Sequence, residues 1–88
     1  MGQLRVTPEQ LRDRAKEYRN QSDEVGHIIE KLDGLINALE SEFEGNTASR
    51  FSSQYSDLRP NIVSMQQLIK DLAAFLDQKA NDFENADS

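Results

Sequence analysis

Phe43-Glu44-Gly45-Asn46-Thr47 decides the fold, because a glycine and turn-forming polar residues meet there at a break in a long helical pattern. Upstream, apolar residues recur at steps of three and four: Leu11, Ala15, Tyr18, Val25, Ile29, Leu32, Ile36, Leu39 and Phe43, with Ser22 as the one polar member. Downstream the stepping resumes with Ala48, Phe51, Tyr55, Leu58, Ile62, Met65, Ile69, Leu72, Leu76, Lys79 and Phe83. Both series are heptad stripes of amphipathic helices, and the period-two alternation of strands is absent. The chain reads as all-α, an antiparallel helix-turn-helix hairpin in a single domain, 1–88. Its expected parts are a helix over 8–43, a turn over 44–47, a helix over 48–82 and an acidic C-terminal tail over 83–88.

Local signals set the ends of these helices. Thr7-Pro8-Glu9-Gln10 can form a capping box, with Pro8 at the first helical position where its missing N–H costs nothing. Asn46 or Thr47 can cap the second helix. Gly45 suits a reversal that needs an unusual dihedral, and Phe43 suits closure of the core end. Pro60 interrupts the second stripe, but the stripe continues in phase through it, so a kinked continuous helix is preferred to three helices.

Ile28 and Leu35 on the first helix, and Leu68 and Phe75 on the second, each stand one position before a stripe residue and broaden the apolar face. One hairpin arm covers only part of such a face. These four residues are therefore the expected partner interface, and two hairpins pairing into a four-helix bundle is the expected assembly.

Composition removes several classes of function. The 88 residues contain no Cys and a single His, His27, which excludes thiol chemistry, thiolate metal sites and a multi-histidine centre. Carboxylates such as Glu40 and Glu44 lie on a helix face without a pocket to separate their pKa values, so no catalysis and no cofactor are expected. With 10 basic against 16 acidic residues the net charge is -6, which argues against nucleic acid and anionic lipid as partners. Neither a signal-peptide pattern nor an apolar run long enough for stable membrane insertion is present. Residues 20–49 carry seven acidic groups and one basic group, whereas residues 1–19 carry five basic and three acidic.

The turn places an aromatic two residues before a glycine, Phe43-Glu44-Gly45, and the C-terminal segment Phe83-Glu84-Asn85-Ala86-Asp87 sets an aromatic and an acid four apart. With the short length and the two amphipathic halves, these features resemble the Trp-x-Gly family of small helical-hairpin proteins exported by bacterial type VII secretion systems. The resemblance covers nearly the entire chain. Phe43 stands where that family has Trp, and Phe83 where its export signal usually has Tyr. In this the chain looks like a variant branch, the small helical partners of LXG-domain toxins. The resemblance implies Phe43 and Gly45 as the turn motif, Phe83 and Asp87 as an export signal, and secretion without a cleaved signal peptide after a cytoplasmic stage. It implies as partners a second copy or a similar small helical protein, the N-terminal helical domain of an LXG toxin, and the type VII secretion ATPase. A homodimeric secreted effector of the family, and a cytoplasmic coiled-coil adaptor with no export role, are the alternatives.

Overall fold

A computed structural model describes residues 6–87, Asp87 by its backbone alone. Two helices, α1 (Pro8–Glu42) and α2 (Asn46–Asp87), form an all-α two-helix hairpin. The capping box opens α1: the Gln10 N–H donates to Thr7 Oγ1 at 3.1 Å, and the Thr7 N–H donates to Gln10 Oε1 at 2.9 Å. Such a cap contributes about 1 kcal/mol by satisfying donors that the first turn leaves unpaired.

At the other end of α1 the Phe43 N–H still donates to the Leu39 carbonyl at 3.0 Å, and Gly45, with φ of 118°, makes the reversal. A side chain at Gly45 would meet no atom within 4 Å, so the demand for glycine comes from the backbone alone. The turn is shorter than the expected 44–47. Because α2 begins at Asn46, Gly45 stands at the N-cap, in place of the expected Asn46 or Thr47.

Nor does the helix stop at residue 82: α2 runs through Asp87, and only Ser88 of the expected tail lies outside the described residues. The physical reason is a tie to α1, since Arg12 donates to Asn81 Oδ1 at 2.7 Å and pairs with Glu84. Pro60 lies inside α2 without ending it. Pro60 and Ser56, whose carbonyl loses its helical partner, are both exposed, so water can serve that carbonyl.

The chain divides into two compact units, one of the described residues up to Ser22 with those from Gln67 onward, the other of Asp23–Gln66. In the first, the end unit, Leu11, Ala15, Ala73 and Ala80 are buried together with Ser22, and Arg19 pairs with Asp77 at 2.6 Å on the rim. Within the second, the turn unit, Ile29 and Ala48 are buried and Ile36 and Ile62 half-buried.

One half of the expected α2 stripe faces inward: Ala48, Tyr55, Ile62, Ile69, Leu76 and Phe83 are buried or half-buried. The other half does not. Phe51, Leu58, Met65, Leu72 and Lys79 are exposed, and the inward positions beside the first row are Ser52, Arg59, Gln66, Ala73 and Ala80. These small and polar residues follow the first row by four, whereas the apolar residues follow it by three, so both rows have heptad spacing and only packing chooses between them.

Candidate functional site

On α2 the inward row of the turn unit is polar, Ser52, Arg59 and Gln66 at heptad spacing, and each has an α1 residue across from it. Gly26 faces Gln66, Asp33 faces Arg59, and Glu40 accepts a hydrogen bond from the Ser52 hydroxyl. A Cβ on Gly26 would stand 2.8 Å from Gln66 Nε2, so glycine there makes room for the glutamine. At Asp33 the contact becomes a clasp. Arg59 Nε–H donates to Oδ1 at 2.9 Å and its Nη2 donates to Oδ2 at 2.8 Å, while the Tyr55 hydroxyl donates to Oδ1 at 2.6 Å.

The Arg59 and Tyr55 hydrogen bonds hold the Asp33 carboxyl well below its ordinary value, at about 2. Conversely, the Asp33 carboxylate raises the pKa of the Tyr55 hydroxyl by accepting its proton in a hydrogen bond, and raises that of Arg59 for the same reason. All three groups thus keep one protonation state across the neutral range. The clasp is a fixed fastening with no proton to exchange there.

On the other flank of the Tyr55 and Ile62 line of α2 lies the apolar row. In the turn unit Ile28 and Leu35 on α1 are exposed, Leu35 by 66%, as are Phe51, Leu58 and Met65 on α2. Leu68, Leu72 and Phe75 are exposed in the end unit. The four residues expected to form a partner interface are therefore all on the surface, and they have company that the sequence placed in the hairpin seam. The Arg50 guanidinium lies 5.9 Å from the centre of the Phe51 ring, and the Lys79 ammonium 5.6 Å from that of Phe75, so each ring has a cation beside it.

Phe43 does not close the core end. It is 60% exposed and, with Leu39, Thr47, Ala48 and Phe51, rims an apolar notch of about 270 Å³ beside Glu44. The reversal at Gly45 comes two residues later, so nothing folds the ring back over the contact line. Phe83 is half-buried and lines a second notch of about 410 Å³ with Leu11, Phe75, Leu76 and Lys79. Because α2 continues through Asp87, positions 83 and 87 lie one helical turn apart; the Asp87 side chain lies outside the described residues. His27 is exposed, and among the described residues no group of three or more His, Cys, Asp or Glu side chains is placed to hold a metal ion. No helix of the described residues is long and apolar enough to cross a membrane.

Comparison with known proteins gives this geometry its family. The model of a family described as proteins of 100 residues with WXG matches residues 3–88. The chain belongs to that family. It is 41% identical over 86 residues to protein YukE of Bacillus subtilis, spanning 98% of this chain and 89% of that one. It is 25% identical over 87 residues to the type VII secretion system extracellular protein A of Staphylococcus aureus, spanning 99% and 90% of the two chains. A crystal structure of EsxA from Geobacillus thermodenitrificans superposes with a TM-score of 0.88 at 33% identity, covering 99% of this chain and 94% of that one. The WXG chain described here is a small, non-catalytic secreted protein of the type VII kind, exported by that pathway. That role sets aside the alternative of an adaptor with no export function.

Sequence reasoning missed Asp33, Tyr55 and Arg59 as a group. A signal was present, in that Gly26, Asp33 and Glu40 share one heptad row of α1 while Gln66, Arg59 and Ser52 share one of α2. It was hidden because a search for apolar periodicity passes over a seam built from polar residues.

Proposed function

We propose that this chain acts as a helical binding and export-targeting partner of an LXG-domain toxin. The outward rows pack against the toxin's N-terminal helical domain to complete a four-helix bundle, and Phe83 with Asp87 presents the pair to the type VII secretion ATPase. The observation that carries this reading is the exposure of Phe51, Leu58 and Met65 in the turn unit and of Leu68, Leu72 and Phe75 in the end unit. Contiguous apolar rows of this kind mark surfaces that bind a partner. Phe in place of Trp at position 43 and of Tyr at position 83 supports the toxin-partner branch.

A homodimer is the second reading, favoured by the charge bias along the chain. Two copies paired antiparallel avoid setting their acidic stretches 20–49 side by side.

Light scattering on the purified chain, alone and mixed with the N-terminal domain of a candidate toxin, separates the readings. A one-to-one complex that Leu58→Asp abolishes supports the toxin partner. Twice the 10.0 kDa chain mass without the toxin, and no complex with it, supports the homodimer. A folded monomer under both conditions refutes both. For the export signal, Asp87→Asn should deplete the protein from culture supernatant while leaving it in the lysate, and undiminished export refutes the role of that charge.

A further inference from the structure

The clasp at Asp33 and the open apolar row beside it are connected by the geometry of α2. The rows on either side of the Tyr55 and Ile62 line differ by one residue, Arg59 and Gln66 on one flank, Leu58 and Met65 on the other. At 100° per residue, exchanging them at the contact line takes about 50° of rotation of α2 about its own axis. That rotation would bury Phe51, Leu58 and Met65 against α1. Hydrophobicity alone favours the rotated arrangement, since it removes three large apolar side chains from water and turns Ser52, Arg59 and Gln66 toward it. Yet the structure holds the other one.

Resting on the helical-partner reading above, we propose that Asp33 is a positioning residue: clasped by Tyr55 and Arg59, it holds α2 in the rotation that keeps Phe51, Leu58 and Met65 outward, and so makes the hairpin competent to bind its partner. Three features support this role. The bidentate contact of Arg59 with both Asp33 oxygens fixes direction as well as distance, which a single surface ion pair does not. Rotation would carry Arg59 away from the contact line and break it. One heptad to either side the same α2 row stays inward: Gln66 occupies the room left by Gly26, and the Ser52 hydroxyl donates to Glu40. Half-buried polar pairs are known to set register and orientation at the expense of hydrophobic stability, and the Asp33–Arg59 pair has that character.

The absence of Cys allows a direct test, since a single introduced thiol reports one face of α2. Ser52→Cys probes the inward row and Phe51→Cys the outward one, each alkylated with iodoacetamide in the otherwise native chain and in the Asp33→Ala background. The lock predicts that Asp33→Ala accelerates alkylation at Ser52→Cys by about tenfold, leaves Phe51→Cys unchanged or slower, and retains helicity by circular dichroism. Exchanging the charges, Asp33→Arg with Arg59→Asp, should restore the slow rate at Ser52→Cys. Should Asp33→Ala fail to fold, Asp33→Asn keeps the side-chain shape and one acceptor, and it should shift the ratio of the two rates in the same direction. Equal acceleration at both positions would show plain loosening and overturn the proposal, as would an unchanged ratio. A shifted ratio in a chain that binds no helical partner upholds the lock and refutes the proposed function instead.

Discussion

In the end unit the contact line is drawn with Leu11, Ala15, Ala73 and Ala80, and the ion pairs Arg12–Glu84 and Arg19–Asp77 lie beside it; in the turn unit the Asp33–Arg59 pair is about as exposed as Arg19–Asp77, 35% and 43% against 36% and 49%, but it is bidentate and shares its carboxylate with Tyr55. Alanine lets two helix backbones approach closely, and its small uniform surface gives little preference among nearby rotations. An aspartate clasped by an arginine and a tyrosine permits far fewer. The two units thus divide the work: one supplies close packing, the other orientation. Each also keeps large apolar side chains off that line: Phe51, Leu58 and Met65 in the turn unit and Leu68, Leu72 and Phe75 in the end unit stay exposed.

The comparison is broken most directly at Ala80, which is fully buried. Ala80→Leu forces a larger side chain onto the contact line and should cost about 1–3 kcal/mol, read as a lower urea midpoint. Leu58→Ala, on the outward row of the turn unit, should change the stability of the unpartnered hairpin by about 0.5 kcal/mol or less, because its side chain is 59% exposed. If the two substitutions cost the same, the division between inward and outward rows is wrong.

Gly45→Val comes next. Nothing lies within 4 Å of the missing Cβ, so crowding contributes nothing and the whole effect is the strain of a β-branched residue at φ of 118°. It should exceed about 1 kcal/mol in thermal or urea unfolding. A smaller loss would mean that the turn relaxes to another conformation, and the turn unit would then owe its geometry to the clasp alone.

Much of this architecture is legible in the sequence, and the reasons differ between its parts. The capping box at Thr7 and Gln10 is legible because local hydrogen bonds depend only on spacing, and most of the α1 stripe because polar residues flank most of its positions; Tyr18 is the member that turns out 39% exposed. The α2 seam was readable only by halves. At each heptad an apolar residue, such as Leu58, sits next to a polar or small one, such as Arg59, and a rule that assigns the larger apolar residue to the core chooses Leu58. The structure puts Arg59 there because Asp33 stands across from it, a condition on the other helix that no pattern within α2 contains. The exposed position of Phe43 escaped notice for a similar reason, since the spacing that puts it on the stripe does not say where α1 stops.

Acid acts on the turn unit through Asp33. Hydrogen bonds from Arg59 and Tyr55 lower the Asp33 pKa to about 2, below the value of about 3.9 for an unfolded aspartate. The unfolded state therefore takes up the proton first as pH falls, and the stability contributed by the clasp, complete above the unfolded value, is lost as pH drops through that value toward about 2. Urea midpoints measured between pH 6 and pH 2 should fall for the native chain and for Asp33→Asn, with the difference between the two curves shrinking across this window. A difference that stays constant with pH would show that Asp33 contributes through shape and not through its charge.

The smallest effect should come from the rim. Arg19 reaches a single oxygen of Asp77 at 2.6 Å, and with exposure much like that of the Asp33–Arg59 pair it gives up side-chain freedom for one screened contact where Asp33 accepts three hydrogen bonds. Arg19→Ala should cost between about 0 and 1 kcal/mol, and salt should erase most of that, because at 1 M the screening length is roughly 3 Å. Arg59→Ala removes two hydrogen bonds to one carboxylate and leaves Tyr55 as the remaining donor, so its cost should be larger and persist at high salt. Measuring both variants by urea unfolding at 0.05 M and 1 M salt sets the single contact against the bidentate one under one solvent change. Equal costs with equal salt dependence would mean that the Asp33–Arg59 pair is only another surface ion pair, and the contrast between the two units would reduce to their apolar packing.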